Sequence, residues 1–245
     1  MPAPAADAVP TPRRRSALTA ALQARPTGTS RPDILAELHR MLRAGEIPAG
    51  TAIRVDDLAD HFGVSRIPVR EALMLLVGEG LVEHRPHAGY AVARLTASEL
   101  RELYVVRRAL ETAALSAAVG AAGPDDDLAA RTAFAALDAA VARDDRAGYH
   151  RESRAFHLAL IAPARMHRLR HVMESAWDTT EPCRPMDHVP EGDRRALHAE
   201  HAEMLEAFTA RDEPALLEAS DRHHTRLEAS IAAIADDVAD GRSGC

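Results

Sequence analysis

The 245-residue chain is long enough for two modest domains or one large one. Aromatic residues are only 3% of it, so a core must be built from Ala, Leu, Val and Ile, which favours packed helices over a β-sandwich. The net charge is −7, and no apolar run approaches the ~20 residues of a bilayer span, so a soluble chain is expected. The cysteines, Cys183 and Cys245, form neither a disulfide framework nor a thiolate zinc site, which fits a reducing cytoplasm.

Residues 1–30 are rich in Ala, Pro, Ser and Thr and carry Arg13-Arg14-Arg15, the composition of a disordered tail. A helix is predicted over 32–44, where Ile34, Leu38, Met41 and Leu42 recur at helical spacing, with Gly45 ending it and Pro48-Ala49-Gly50 forming a turn. A short helix at 55–62 stops at Gly63, and a third starts at Ser65 and ends near Gly78-Glu79-Gly80. Two strands follow, 81–85 and 90–94, around the turn Pro86-His87-Ala88-Gly89, and strands are expected nowhere else. After Leu95 every segment reads as helix: 97–122, with Leu100, Leu103, Val106 and Leu110 on one stripe, then 125–144, 146–162, 164–180, 191–211 and 214–236. Residues 237–245 are left as a flexible tail. The expected fold class is therefore mainly α: an N-terminal winged helix-turn-helix over 31–95 and an all-α helical-bundle ligand-binding domain over 97–236.

The segment Leu58 to Leu73 is the most informative in the chain. Gly63 permits a tight turn, Val64 plugs the space between two helices, and Ser65 is a good N-cap. Pro68 falls at the third helical position, where a missing N–H costs little. Arg66 and Arg70 are four apart and share an exposed face near the helix start, where a recognition helix meets base edges. Arginine pairs with guanine through two hydrogen bonds, while Ser65 and the first N–H groups suit a phosphate. The hairpin tip His87-Ala88-Gly89 is small enough to enter a minor groove. Charge does not decide the matter, since residues 31–96 carry 8 arginines against 9 acids.

These residues resemble the DNA-binding domain of the GntR family of bacterial regulators, on Gly63-Val64-Ser65-Arg66-Ile67-Pro68-Val69-Arg70-Glu71-Ala72-Leu73, Gly80-Leu81-Val82 and Gly89. The resemblance implies base contacts from Arg66 and Arg70, a phosphate contact from Ser65, and Gly89 at the wing. Asp56 departs from the pattern where some members carry a basic residue, and Arg54 is the substitute at that edge.

Histidines are numerous, 13 in all, and spacing singles out a pair. His201 lies 11 residues before Asp212 and His223 lies 11 after it, so an antiparallel helix pair turning there puts both at one height, ~16 Å from the turn. Two imidazoles at one level can share a metal, and His157 sits on another helix. His198 and His224 are neighbours that could be confused with these ligands, and chance pairing among many histidines is the alternative.

Residues 97–236 in turn resemble the all-helical FCD ligand-binding domain of the FadR subfamily, on Leu103 to Glu111, Phe156-His157, and His201 through Asp212 to His223. That resemblance implies a divalent metal such as zinc, manganese or nickel, held by an Asp and three His, with a small organic acid completing the coordination. His157, His201 and His223 match the histidines, but the Asp position holds Ser153, and His150 is a candidate replacement. Met166 stands where many members have Asn. Arg107 is the candidate partner of the effector carboxylate. A homodimeric repressor of operator DNA, cytoplasmic and not an enzyme, is the implied function. The alternatives are a metal-independent regulator of a larger ligand such as an acyl thioester, and a helical metal hydrolase, which lacks a His-Glu-x-x-His motif.

Overall fold

The computed structural model describes Leu18, Leu22, residues 30–183, Met186 and residues 189–239, with 233–239 as backbone only. Helix α1 (Arg31–Arg43) starts where the Asp33 carboxylate accepts from the Ser30 N–H at 2.8 Å, with Pro32 in its first turn. It buries the predicted face, Ile34, Leu38, Met41 and Leu42. α2 (Val55–Phe62) ends on Gly63, which takes the left-handed conformation (φ 67°) that favours glycine. α3 (Arg66–Gly78) follows after Ser65 and buries Val69, Ala72, Leu73 and Leu76.

Three strands form one antiparallel sheet in the order β1-β3-β2: β1 (Ala52–Ile53), β2 (Val82–Arg85) and β3 (Gly89–Val92). The expectation that strands occur only within 81–94 is corrected by β1, which pairs Ala52 with Ala91 and Ile53 with Tyr90. Two residues are too few to show a period of two in sequence; the pairing with β3 is what makes them a strand. These elements enclose one apolar cluster, and Leu18 and Leu22, read from sequence as part of a disordered tail, are buried in it. The remainder of 1–29 and residues 240–245 lie outside the described residues.

Thr96 opens the second part of the chain. Its hydroxyl accepts from the Glu99 N–H at 3.2 Å, while Glu99 accepts from the Thr96 N–H at 2.7 Å, a reciprocal cap on α4 (Ala97–Val119). Then come α5 (Pro124–Ala142), α6 (Arg146–Ile161), α7 (His167–Thr180), α8 (Glu191–Ala210) and α9 (Glu213–Ala239), with short 3-10 turns at Ala162–Ala164 and Glu181–Cys183. α4 packs against α6, α7 and α9, α5 against α6 and α8, and α8 against α9. Arg211, left-handed at φ 61°, and Asp212, whose carboxylate accepts from the Ala215 N–H, turn α8 back into α9. This bundle has its own apolar cluster, including Leu115, Phe156, Met204, Phe208 and Leu216.

The stripe predicted on α4 is shifted. Val106 is 36% exposed, whereas Tyr104, Arg107 and Glu111 are buried beside Leu100, Ala114 and Leu115. The inward face of α4 is polar in its middle, which hydrophobic periodicity cannot show. No helix among the described residues is long and apolar enough to cross a membrane. Replacing Thr96 with Ala is expected to lower stability by about 1 kcal/mol and Thr96→Ser to keep most of it, measured by urea unfolding.

Candidate DNA interface and buried histidine site

The predicted DNA contacts gather around one concavity. A groove of about 580 Å³ runs between the start of α2, the first turns of α3 and the β2–β3 tip, lined by Arg54, Asp56, Arg66, Arg70, His84, His87 and Gly89, among others. Ser65 holds the N-cap position of α3 without a side-chain cap bond, which leaves its exposed hydroxyl available. Pro68 lies on the half-buried side of the same helix and is not part of that lining. Both His87 (φ 66°) and Gly89 (φ 87°) are left-handed, so the tip depends on a conformation that only glycine adopts freely. Asp56 sits against Arg66, with its carboxylate 2.5 Å from Nε, and Arg54 lies 3.8 Å from Asp57.

Inside the bundle, His157 from α6, His201 from α8 and His223 from α9 bring one ligand nitrogen each to within 4.8 Å of one another, and all three are buried. His157 Nε2 is 3.0 Å from His201 Nε2, and the His201 and His223 ring centroids are 4.4 Å apart. Four-coordinate zinc with ~2.0–2.1 Å bonds separates its nitrogens by ~3.3 Å, so this donor set fits a tetrahedral or octahedral divalent ion. One further observation agrees with that fit: Ser153 Oγ approaches His201 Nε2, the nitrogen that faces His157, at 3.5 Å. His201 Nδ1 and His223 Nδ1 are buried without a hydrogen bond. Ser153 thus stands beside the triad, whereas His150 turns away from it and pairs with Glu181.

Glu111 was not singled out as a site residue by the sequence. It is fully buried and accepts hydrogen bonds from His157 Nδ1 and, at 3.0 Å, from His224 Nε2. Burial alone would raise its pKa, but the two imidazoles outweigh this and hold it well below the usual carboxylate range. With Nδ1–H committed to Glu111, the lone pair of His157 is on Nε2, facing His201. His224 therefore serves Glu111 and not the triad. His198 is also separate, bonded to Asp138 at 3.1 Å and stacked on Phe134. On the α8 side, Glu200 lies 3.6 Å from His223 Nδ1 and is anchored by Arg226 at 2.8 Å.

Arg107 completes the interior. It is 3% exposed, its guanidinium carbon is 3.7 Å from the Trp177 ring centroid and 4.6 Å from that of Tyr104, and Nε and Nη1 have no partner. The Trp177 ring is in turn 5.6 Å from that of His157. A buried cation with free donors between two rings is a ready receptor for an anion.

Burial, with the neighbouring imidazoles, pulls His201 well below its ordinary value, and burial takes His223 down to about 4 against the pull of Glu200. A depressed imidazole means that the unfolded chain binds more protons between its ordinary pKa and about 4, so stability is full above about pH 6.5 and is lost as pH falls. Metal-free protein is expected to lose about 2 kcal/mol through His223 between pH 7.5 and 5, and His223→Gln to show a shallower slope, in urea unfolding across that range.

The chain matches two family models, "Bacterial regulatory proteins, gntR family" over residues 31–92 and "FCD domain" over residues 102–226. It is 27% identical to the HTH-type transcriptional regulator YdhC of Bacillus subtilis (strain 168) over 189 residues, 73% of this chain and 80% of that protein. Against the HTH-type transcriptional regulator McbR of Escherichia coli (strain K12) it is 27% identical over 180 residues, 72% of this chain and 80% of that protein. The solved structure of Escherichia coli McbR/YncC superposes with a TM-score of 0.73 at 22% identity, covering 83% of this chain and 97% of that one. A GntR regulator from Rhodococcus sp. RHA1 gives the same TM-score and coverage at 24% identity. The chain therefore belongs to the GntR family of bacterial regulatory proteins, as a DNA-binding transcriptional regulator with an FCD domain and not an enzyme.

Proposed function

We propose that the protein is a homodimeric repressor, released from its operator by a small carboxylate effector bound beside a divalent metal such as zinc, manganese or nickel. One observation carries this reading: three buried imidazoles converge in an interior that also holds the Arg107 guanidinium, whose Nε and Nη1 have no hydrogen bond. His157, His201 and His223 would hold the ion, which supplies positive charge for an effector carboxylate. Because Ser153 stands where an acid is usual, the nearest protein donors are neutral, and less of that charge is cancelled before the effector arrives. Arg107 takes a second acidic or polar group of the effector through its free Nε and Nη1. Glu111 fixes the His157 ring and its tautomer.

On DNA, Arg66 and Arg70 read base edges in the major groove. Ser65, at the helix start, and Arg54 meet phosphates, and His87 and Gly89 carry the wing toward the minor groove. Pro68 sets the first turn of α3. Two subunits place two such helices on one side of a near-palindromic duplex. The repressor assignment has support in the relatives: the matching stretch of the gluconate operon transcriptional repressor of Bacillus subtilis (strain 168) is 40% identical over 76 residues. Effector and DNA change each other's affinity by the same factor.

Elemental mass spectrometry of the purified chain tests the metal. About one ion per chain is expected in the wild type and none in His201→Ala/His223→Ala. No ion in either, even after incubation with zinc, manganese or nickel, would replace this reading with a metal-independent effector such as an acyl thioester. Glu111→Gln is expected to weaken metal affinity about 10–100-fold while leaving the three ligands in place, measured by competition with a chelator. With a duplex selected from a random pool, Arg66→Ala and Arg70→Ala are each expected to cost about 1–3 kcal/mol of discrimination, read from the ratio of selected to scrambled affinity.

A further inference from the structure

The N-terminal head and the C-terminal bundle meet across an open groove of about 670 Å³, lined on one side by His39, Arg40 and Arg43 and on the other by Arg146, His150 and Arg154. One buried group spans this junction. Asp178, near the end of α7, is 6% exposed. Its Oδ2 accepts from Arg43 Nε at 2.9 Å and its Oδ1 accepts from Arg154 Nη1 at 2.6 Å. Arg43 is the last residue of α1 and belongs to the head, while Arg154 lies on α6, directly after Ser153 and one helical turn before His157.

We propose that Asp178 is a latch between the two parts, through which a change in the histidine pocket reaches the DNA-binding head. This regulatory role rests on the reading of that pocket as the effector site. Two short routes join the pocket to the latch. Along α6, His157 and Arg154 are adjacent on the helix surface, three residues apart. Along α7, Asp178 follows Trp177, whose ring packs on Arg107 and lies 5.6 Å from the His157 ring.

The chemistry gives the latch two states. Asp178 is too buried to stand without a cation, and Arg154, with its side chain only 16% exposed, keeps it paired whatever the head does. Arg43 differs, because 49% of its side chain is exposed, so it can exchange the carboxylate for water at small cost. A shift of α6 or Trp177 that re-aims Arg154 changes what Asp178 offers to Arg43, and the open groove leaves room for α1 to respond.

Hydrogen–deuterium exchange on the full chain decides the question. Arg43→Gln alters an exposed side chain of the head, so its thermal unfolding should match wild type. Amide exchange in α7 near Trp177 and in α6 near Arg154 should nevertheless rise about threefold or more. The converse variant, Asp178→Asn, should raise exchange in α1. Changes confined to the element carrying each substitution would overturn the latch, and Arg43→Gln alone suffices if Asp178→Asn fails to fold. Zinc alone is the second probe. Added to wild type it should change exchange in α1, and in Arg43→Gln that distant response should vanish while the response near His157 remains. A distant response that survives in Arg43→Gln would also overturn the latch. If zinc, manganese and nickel in turn all change nothing in wild type, the metal reading fails, and the cross-domain pattern of the two variants still decides the latch.

Discussion

A carboxylate without access to water organises the C-terminal bundle. An ionised Glu111 on its own in an apolar interior would cost far more than the whole domain's stability, so it has to be satisfied from other helices. Two imidazoles do this, His157 from α6 and His224 from α9, and the bond to each ties its helix to α4. The consequence extends one step further on each side. His157, held by Nδ1, presents Nε2 to His201, and on α9 the residue before His224 points about 100° away, toward α8, where His223 joins the triad. One ionised acid thus orients His157 and His224 before any ligand arrives, and His157 carries that order into the triad.

Much of the architecture was legible because it rests on local rules. Gly63, Val64 and Ser65 specify a tight inter-helical turn through backbone geometry, and the apolar face of α1 is a plain helical stripe. His201 and His223 were reachable by counting from Asp212, since a short turn fixes the register of the two helices it joins. What escaped was non-local. β1 exists only because β3 lies beside it, and Glu111 becomes a site residue only through a ring 46 positions away. On α4 the apolar pattern pointed to Val106, whereas the fold buries Arg107 and Glu111, because the interior there is built to receive charge. His150 was a reasonable substitute for a missing acid by helical spacing, but Glu181 draws it to the domain junction.

The head shows a different use of charge. Its arginines are matched by acids, so the surface offers little undirected attraction to phosphates. Arg66 is held by Asp56, Arg54 lies near Asp57, and Arg31 is 3.6 Å from Glu71. Among the described residues Arg70 has no such acid and faces the groove freely. Such a surface gains little from counterion release on arbitrary DNA and depends more on geometric fit, which favours discrimination over bulk affinity.

Trp177 is the chain's single tryptophan, and its position gives the molecule an optical property. The indole lies between the Arg107 guanidinium and the His157 ring, with Nε1 buried and unbonded. All indole fluorescence therefore originates at the pocket wall, without background from the head. A closed-shell ion such as zinc, lacking low-lying d–d states, leaves such an emitter bright, whereas an open-shell ion this close drains its excited state. The emission of one residue would thus report whether the three imidazoles hold an ion, and of which electronic class.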